Sequence, residues 1–186
     1  MTALLDHLTL VPGITLIAGA PMAGKTTLGM HLAHAWGAKY GNAMHHVFVV
    51  SEASQAYVRR WVSLFGDPKT ERDYPTLLQI GVKERQAMAE QLLNGRTNCL
   101  LVIDDPLTAR ALDLESLQRL AVQRDSSVVA FVQPPRGAAA QEWWDALKLD
   151  DRMTVAIGAF IEDGSYTVLK NRGDHVDDMT DPVGDS

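Results

Sequence analysis

The sequence predicts an α/β fold of three layers, in which a mainly parallel central sheet lies between two layers of helices. Three observations carry that expectation. Short apolar runs rich in β-branched residues alternate with longer stretches of helical spacing, the pattern of strand–helix repetition around one sheet. The first runs are apolar at successive positions, as strands covered on both faces must be. The last two runs are joined through Glu162-Asp163-Gly164-Ser165, a short Asp-Gly turn that predicts a closing antiparallel hairpin.

In chain order, strands are expected at 14–18, 47–50, 76–80, 99–103, 128–132, 155–160 and 166–169, most of them bounded by Gly, Pro or polar residues. Helices are expected between them at 25–36, 53–65, 83–93, 114–124 and 141–147. A chain of 186 residues suits one domain with a full core, placed here at 1–173. The tail 174–186 contributes Asp174, Asp177, Asp178, Asp181 and Asp185 with no lysine or arginine. It is also poor in large apolar side chains, so it is expected to be mobile or loosely packed.

Composition narrows the class. A hydrophobic fraction of 46% with 22% charged residues is ordinary for a soluble globular protein. The single cysteine, Cys99, excludes an internal disulfide framework and a multi-cysteine metal site, and its apolar surroundings predict a small buried hydrophobe. No apolar stretch approaches the ~20 residues of a membrane span, and MTALLDHLTL lacks the features of a secretory signal. A cytoplasmic protein without membrane contact is expected. The formal net charge of −6 counts against a free-standing, nonspecific nucleic-acid binder, although a ring can hide a basic surface in its channel.

The most specific signal is ITLIAGAPMAGKTTLGMHLA. A strand leads into Gly19-Ala20-Pro21-Met22-Ala23-Gly24-Lys25-Thr26 and then a helix, matching G-x-x-x-x-G-K-[ST] in the context that motif requires. Each part has a chemical reason. Glycines let backbone N–H groups turn toward phosphates with no side chain in the way. The new helix aims its positive end at the same anions. Lys25 then reaches the β- and γ-phosphates, the Thr26 hydroxyl ligates Mg²⁺, and Thr27 completes the loop. From average residue usage, the four fixed positions recur by chance in a chain this long at roughly 1%, so a nucleoside triphosphate site is expected, with ATP hydrolysis as its chemistry.

Three other strand ends carry polar residues that a sheet does not need. The run 99–103 ends in Asp104-Asp105, where a carboxylate can stand beside the metal. Asp104, the first acid, is the candidate, with Asp105 as the start of a turn before Pro106. The run 47–50 leads into Ser51-Glu52, and 128–132 into Gln133. Ligands of open parallel sheets lie beyond the carboxyl ends of the strands, so Glu52 is placed to orient an attacking water and Gln133 to sense the γ-phosphate. The plainer alternatives are a capping acid for the next helix and a surface turn residue before Pro134-Pro135.

This order of motifs resembles the RecA-like P-loop ATPase core, and especially its DnaB-type replicative-helicase branch. GAPMAGKTT is similar to the first Walker motif, VFVVSEAS to the strand with the catalytic glutamate, and LLVIDD to the second Walker motif. VVAFVQPPR is similar to the sensor strand, and TVLKNRGD to the late strand ending in Lys-x-Arg. The resemblance spans roughly 12–173. It implies Glu52 as base, Gln133 as sensor, and Lys170 with Arg172 as a pair reaching a neighbour's γ-phosphate. A homo-oligomeric ring, often a hexamer in that family, follows. Lys170 and Arg172 otherwise read as a polar strand end leading into a tail.

Against the helicase pattern, an amino-terminal partner domain is not expected in this chain, and a companion protein is one source for it. The stretches that would contact nucleic acid, 106–113 and 134–141, hold only Arg110 and Arg136 as basic residues, a thin phosphate-binding surface per subunit. Three functions therefore stay open. They are a motor on single-stranded nucleic acid, a regulatory ATPase or scaffold of the KaiC type, and a nucleoside or small-molecule kinase. The last is disfavoured by the absence of zinc-binding cysteines and of an arginine-rich lid. His45-His46 reads as a surface loop, Trp143-Trp144 as core or subunit packing, and Arg59-Arg60 as a solvated helix face, although that face could meet a neighbouring subunit.

Overall fold

The computed structural model describes residues 10–40, 47–51, 54–66, 75–107, 112–147, 157–162 and 165–171. Among them are seven strands, β1 (Gly13–Gly19), β2 (Val47–Ser51), β3 (Thr76–Leu78), β4 (Leu100–Leu107), β5 (Ser127–Val132), β6 (Ile157–Glu162) and β7 (Ser165–Asn171). Between the strands run five α-helices, α1 (Lys25–Tyr40), α2 (Ser54–Phe65), α3 (Arg85–Gly95), α4 (Leu114–Gln123) and α5 (Ala140–Ala146), with a 3-10 turn at Val82–Glu84 before α3. Every strand and helix expected from the sequence has its counterpart.

The strands form one sheet in the order β3-β2-β4-β5-β1-β6-β7. Neighbours are parallel from β3 through β6, and β7 runs antiparallel, against β6. The predicted α/β three-layer fold and its terminal hairpin are therefore both found.

Strand alternation divides the core into two halves. Ile14, Leu16, Ala18, Leu101, Ile103, Val128 and Ala130 face the side packed by Ala89 and Leu93 of α3, Leu117 and Ala121 of α4, and Trp143 of α5. Ile17, Leu100, Val102, Val129 and Phe131 face the other side, against Leu28, Leu32 and Ala33 of α1 and Tyr57 and Trp61 of α2. Each fully buried leucine or isoleucine contributes about 1.5–3 kcal/mol, which is why strands buried on both faces dominate the centre. Cys99 is buried, as its apolar setting predicted, and burial pushes its thiol above the ordinary range.

Local chemistry sets the helix ends. Asp113 accepts a 3.0 Å hydrogen bond from the Ser116 N–H and so starts α4. One expectation needs correction at β4. This strand does not stop before Asp104 but continues through Asp105 and Pro106 to Leu107, with a register irregularity against β5 between Ile103 and Leu107. A bulge tolerates a proline that a regular ladder would not. Trp143 is buried and Trp144 half-buried, with Trp143 edge-on to Phe160, so the pair belongs to the packing, as expected. No helix among the described residues is long and apolar enough to cross a membrane. His45-His46, Arg110 and the tail 174–186 lie outside the described residues.

Candidate functional site

The carboxyl ends of β1, β4 and β5 open onto one region of the sheet edge, and the glycine loop lies there between β1 and α1. Gly24 has φ 92° and Met22 φ 66°, both in the left-handed region, where glycine is at ease and methionine is strained. Alternation of this kind builds the concave arrays of N–H groups that bind anions. A Cβ placed on Gly24 would meet nothing within 4 Å, so it would project into open space beside the loop. The first turn of α1 contains no acidic residue, which leaves the helix's positive end to an incoming anion. Ala20, Pro21 and Met22 are exposed and Ala23 is half-buried, and the loop is braced by a 3.2 Å hydrogen bond from the Ala23 N–H to the Ala20 carbonyl.

Lys25 folds back over this loop. Its Nζ donates to the carbonyls of Gly19 and Ala20, both at 2.7 Å. Partial burial lowers its pKa, and the nearby Asp104 charge opposes that shift. Thr26, the next residue, donates from its hydroxyl to Asp104 Oδ1 at 3.2 Å.

The sheet explains why Asp104 is the acid that arrives. Leu100 and Val102 face α1 and α2, and two further residues along the strand put Asp104 on the same side. Burial raises its pKa, while the Thr26 hydrogen bond and the charges of Lys25 and Arg60 pull the other way. A threonine hydroxyl and a carboxylate are hard oxygen donors, the set that suits Mg²⁺ with water and phosphate completing its shell. Among the described residues no group of three or more His, Cys, Asp or Glu gathers that could hold a metal by itself.

The remaining predicted residues are distributed as follows. Ser51 pairs with Asp104 across the β2–β4 ladder; Glu52, which follows it, lies outside the described residues. Gln133 is exposed and directly follows Val132, whose neighbours are Ala18 of β1 and Leu107 of β4. It thus leaves the sheet between the glycine loop and the acidic strand. Lys170 pairs with Gly158, which pairs with Leu16. It stands two strands across and three residues back from Gly19, roughly 14 Å away in backbone terms, so the structure does not bring it to its own loop. Arg172 lies outside the described residues.

Arg60, expected on a solvated helix face, instead reaches toward the site. Its backbone is on α2, but its guanidinium donates to the Thr27 hydroxyl at 2.5 Å, and its charge acts on Asp104. Thr27 is itself buried. The one available signal was position, since α2 follows the strand whose end pairs with Asp104.

No protein-family model matches the chain, and no curated protein matches it. Among solved structures, the ATPase domain of the protein G-40-P is similar, with a TM-score of 0.61 at 14% identity, covering 92% of this chain and 82% of that one. Likeness at such low identity is a likeness of fold, and the fold of this chain is the RecA-like P-loop ATPase fold.

Proposed function

We propose that this chain is an ATP-binding and ATP-hydrolysing RecA/DnaB-like motor subunit that works as a homo-oligomeric ring on single-stranded nucleic acid. The observation that carries the reading is the Thr26–Asp104 hydrogen bond with Lys25 beside it. A loop hydroxyl, a strand carboxylate and a phosphate-seeking ammonium meet at one helix N-terminus.

In this reading the backbone of Gly19, Ala20, Pro21, Met22, Ala23 and Gly24 cradles the phosphates, and Lys25 trades its two carbonyl partners for the β- and γ-oxygens. Thr26 and Asp104 hold Mg²⁺, which when bound neutralises the phosphate charge. Thr27 holds Arg60 against the loop. Glu52 orients the attacking water, and Gln133, leaving β5 between the two motifs, senses the γ-phosphate. The separation of Lys170 from its own loop supports a role for Lys170 and Arg172 on the nucleotide of a neighbouring subunit, and hence a ring, with a hexamer favoured by family resemblance.

A second reading, a nucleotide-gated scaffold of the KaiC type, is favoured by the net charge of −6 and by Arg136 as the one arginine in the described part of the two candidate strand-contacting loops. Steady-state ATP hydrolysis with and without single-stranded DNA or RNA separates the two. Stimulation by strands that is lost in Lys25→Ala and Arg172→Ala supports the ring motor. Hydrolysis indifferent to nucleic acid and unchanged in Arg172→Ala removes it, leaving the scaffold or a kinase.

A further inference from the structure

Tyr57 lies on α2 one turn before Arg60, so the two side chains share a helix face. That face is fixed. Trp61 is buried and packs on Phe65, which stacks flat on His34 of α1 at 4.2 Å. Tyr57 is 3% exposed, and its ring belongs to the core beneath α1 with Leu28, Val102 and Phe131.

Its hydroxyl does not fit that setting. The oxygen is fully enclosed and makes no hydrogen bond. A buried hydroxyl without a partner carries a desolvation cost that phenylalanine, filling the same volume, would avoid. One turn on, Arg60 bonds Thr27, next to the Thr26 whose hydroxyl engages Asp104 Oδ1, so this part of α2 lies toward that carboxylate, whose charge acts on the phenol. A phenol is neutral at working pH, so the hydroxyl is an O–H donor.

Building on the nucleotide reading above, we propose that Tyr57 is a positioning residue for the metal-bound state, its enclosed hydroxyl donating to the Asp104 oxygen that Thr26 leaves open when that carboxylate turns to hold Mg²⁺. Such a bond would fix the rotation of the carboxylate that holds Mg²⁺. The cost of the unpaired group falls on the free protein and is removed in the complex. Tyr57 thereby favours the loaded state without touching the nucleotide.

The test compares the full-length protein with Tyr57→Phe by thermal denaturation, in EDTA, in ADP with EDTA, and in ADP with graded Mg²⁺. The expected result has three parts. The free variant melts at the wild-type temperature or above it, ADP alone acts equally on both, and the apparent Mg²⁺ affinity of the variant's ADP complex falls roughly tenfold. A double-mutant cycle with Asp104→Asn shows coupling between the two side chains. A free Tyr57→Phe protein that melts lower or fails to fold overturns the proposal, because the hydroxyl then serves the fold itself. So does an unchanged Mg²⁺ response alongside a normal wild-type one, and in that case the nucleotide reading survives. A wild-type chain indifferent to ADP and Mg²⁺, with Lys25→Ala identical to it, removes the nucleotide reading and the proposal together.

Discussion

Arg60 and Thr27, 33 residues apart in the chain, are joined by a hydrogen bond from guanidinium to hydroxyl. Helix α2 is thereby tied to the first turn of α1, next to the residue that bonds Asp104. A cation is held beside the proposed metal site without coming from another subunit, its charge acting on Asp104.

Removing it is expected to affect chemistry more than folding. The Arg60 side chain is largely exposed, and exposed charged contacts add about 0–1 kcal/mol, so Arg60→Ala should melt within ~3 °C of wild type. Its ATP hydrolysis should fall at least ~10-fold, as expected for a charged hydrogen bond at a phosphate site. Arg60→Lys should recover only part, because an ammonium lacks the guanidinium fork. Steady-state kinetics beside a melting curve check this, and wild-type turnover in Arg60→Ala would show the contact to be incidental.

Asp104 yields a prediction about pH in metal-free buffer. Burial holds its folded-state pKa above the ordinary 3.8, with Thr26, Lys25 and Arg60 opposing. The folded chain therefore binds more protons than the unfolded chain in the window just above 3.8. Stability falls as pH rises through that window, and the loss persists at neutral pH. Asp104→Asn should thus melt ~2 °C or more above wild type at pH 7, and the gap should close as pH is lowered to the start of the window. The same variant should lose the Mg²⁺-dependent part of nucleotide stabilisation. A variant that melts lower than wild type at pH 7 would mean that the carboxylate is a net stabiliser of the free fold.

The glycine loop was legible because its information is local: strand, loop and helix are contiguous, and the spacing carries the chemistry. The sheet's parallel character was legible for the same reason, through apolar runs and one Asp-Gly turn. The insertion of β5 between β1 and β4 was not, because pairing between distant strands leaves no mark in either strand alone. Asp104 stands out by its place after an apolar run, and the structure brings it to Thr26, yet the continuation of β4 to Leu107 was missed, since Pro106 reads as a stop and the bulge that accommodates it is tertiary. The reach of Arg60 to Thr27 was missed for a related reason. A helix pattern shows which face is polar, but not that a long side chain on it reaches over the edge to a residue 33 positions earlier.

Gly24 should be irreplaceable on two separate counts. At φ 92° an alanine is strained, costing on the order of 1 kcal/mol or more, or ~2–4 °C in a domain of this size. Its Cβ would also occupy the open space beside the loop, where the phosphates are proposed to lie. Gly24→Ala should therefore fold with a modestly lower melting temperature and show no stabilisation by ADP and Mg²⁺. Retained nucleotide stabilisation would place the phosphates elsewhere.

Gly158 offers a test of the hairpin's place in the function, because it pairs with Lys170 on one side and Leu16 on the other. A Cβ there would stand 2.3 Å from the Trp144 ring, closer than any real contact, so either Trp144 or β6 must move. Overpacking of this kind costs about 1–3 kcal/mol, which predicts a fall of roughly 3–10 °C for Gly158→Ala. If β6 moves, β7 and Lys170 move with it, and hydrolysis that depends on a neighbour's Lys170 should fall further than the stability loss explains. Trimming the obstacle with Trp144→Leu in the same chain should then restore both melting temperature and hydrolysis. Recovery of stability without recovery of hydrolysis would assign Trp144 to the subunit contact itself, and no loss of either in Gly158→Ala would mean that α5 yields and the hairpin stays where it is.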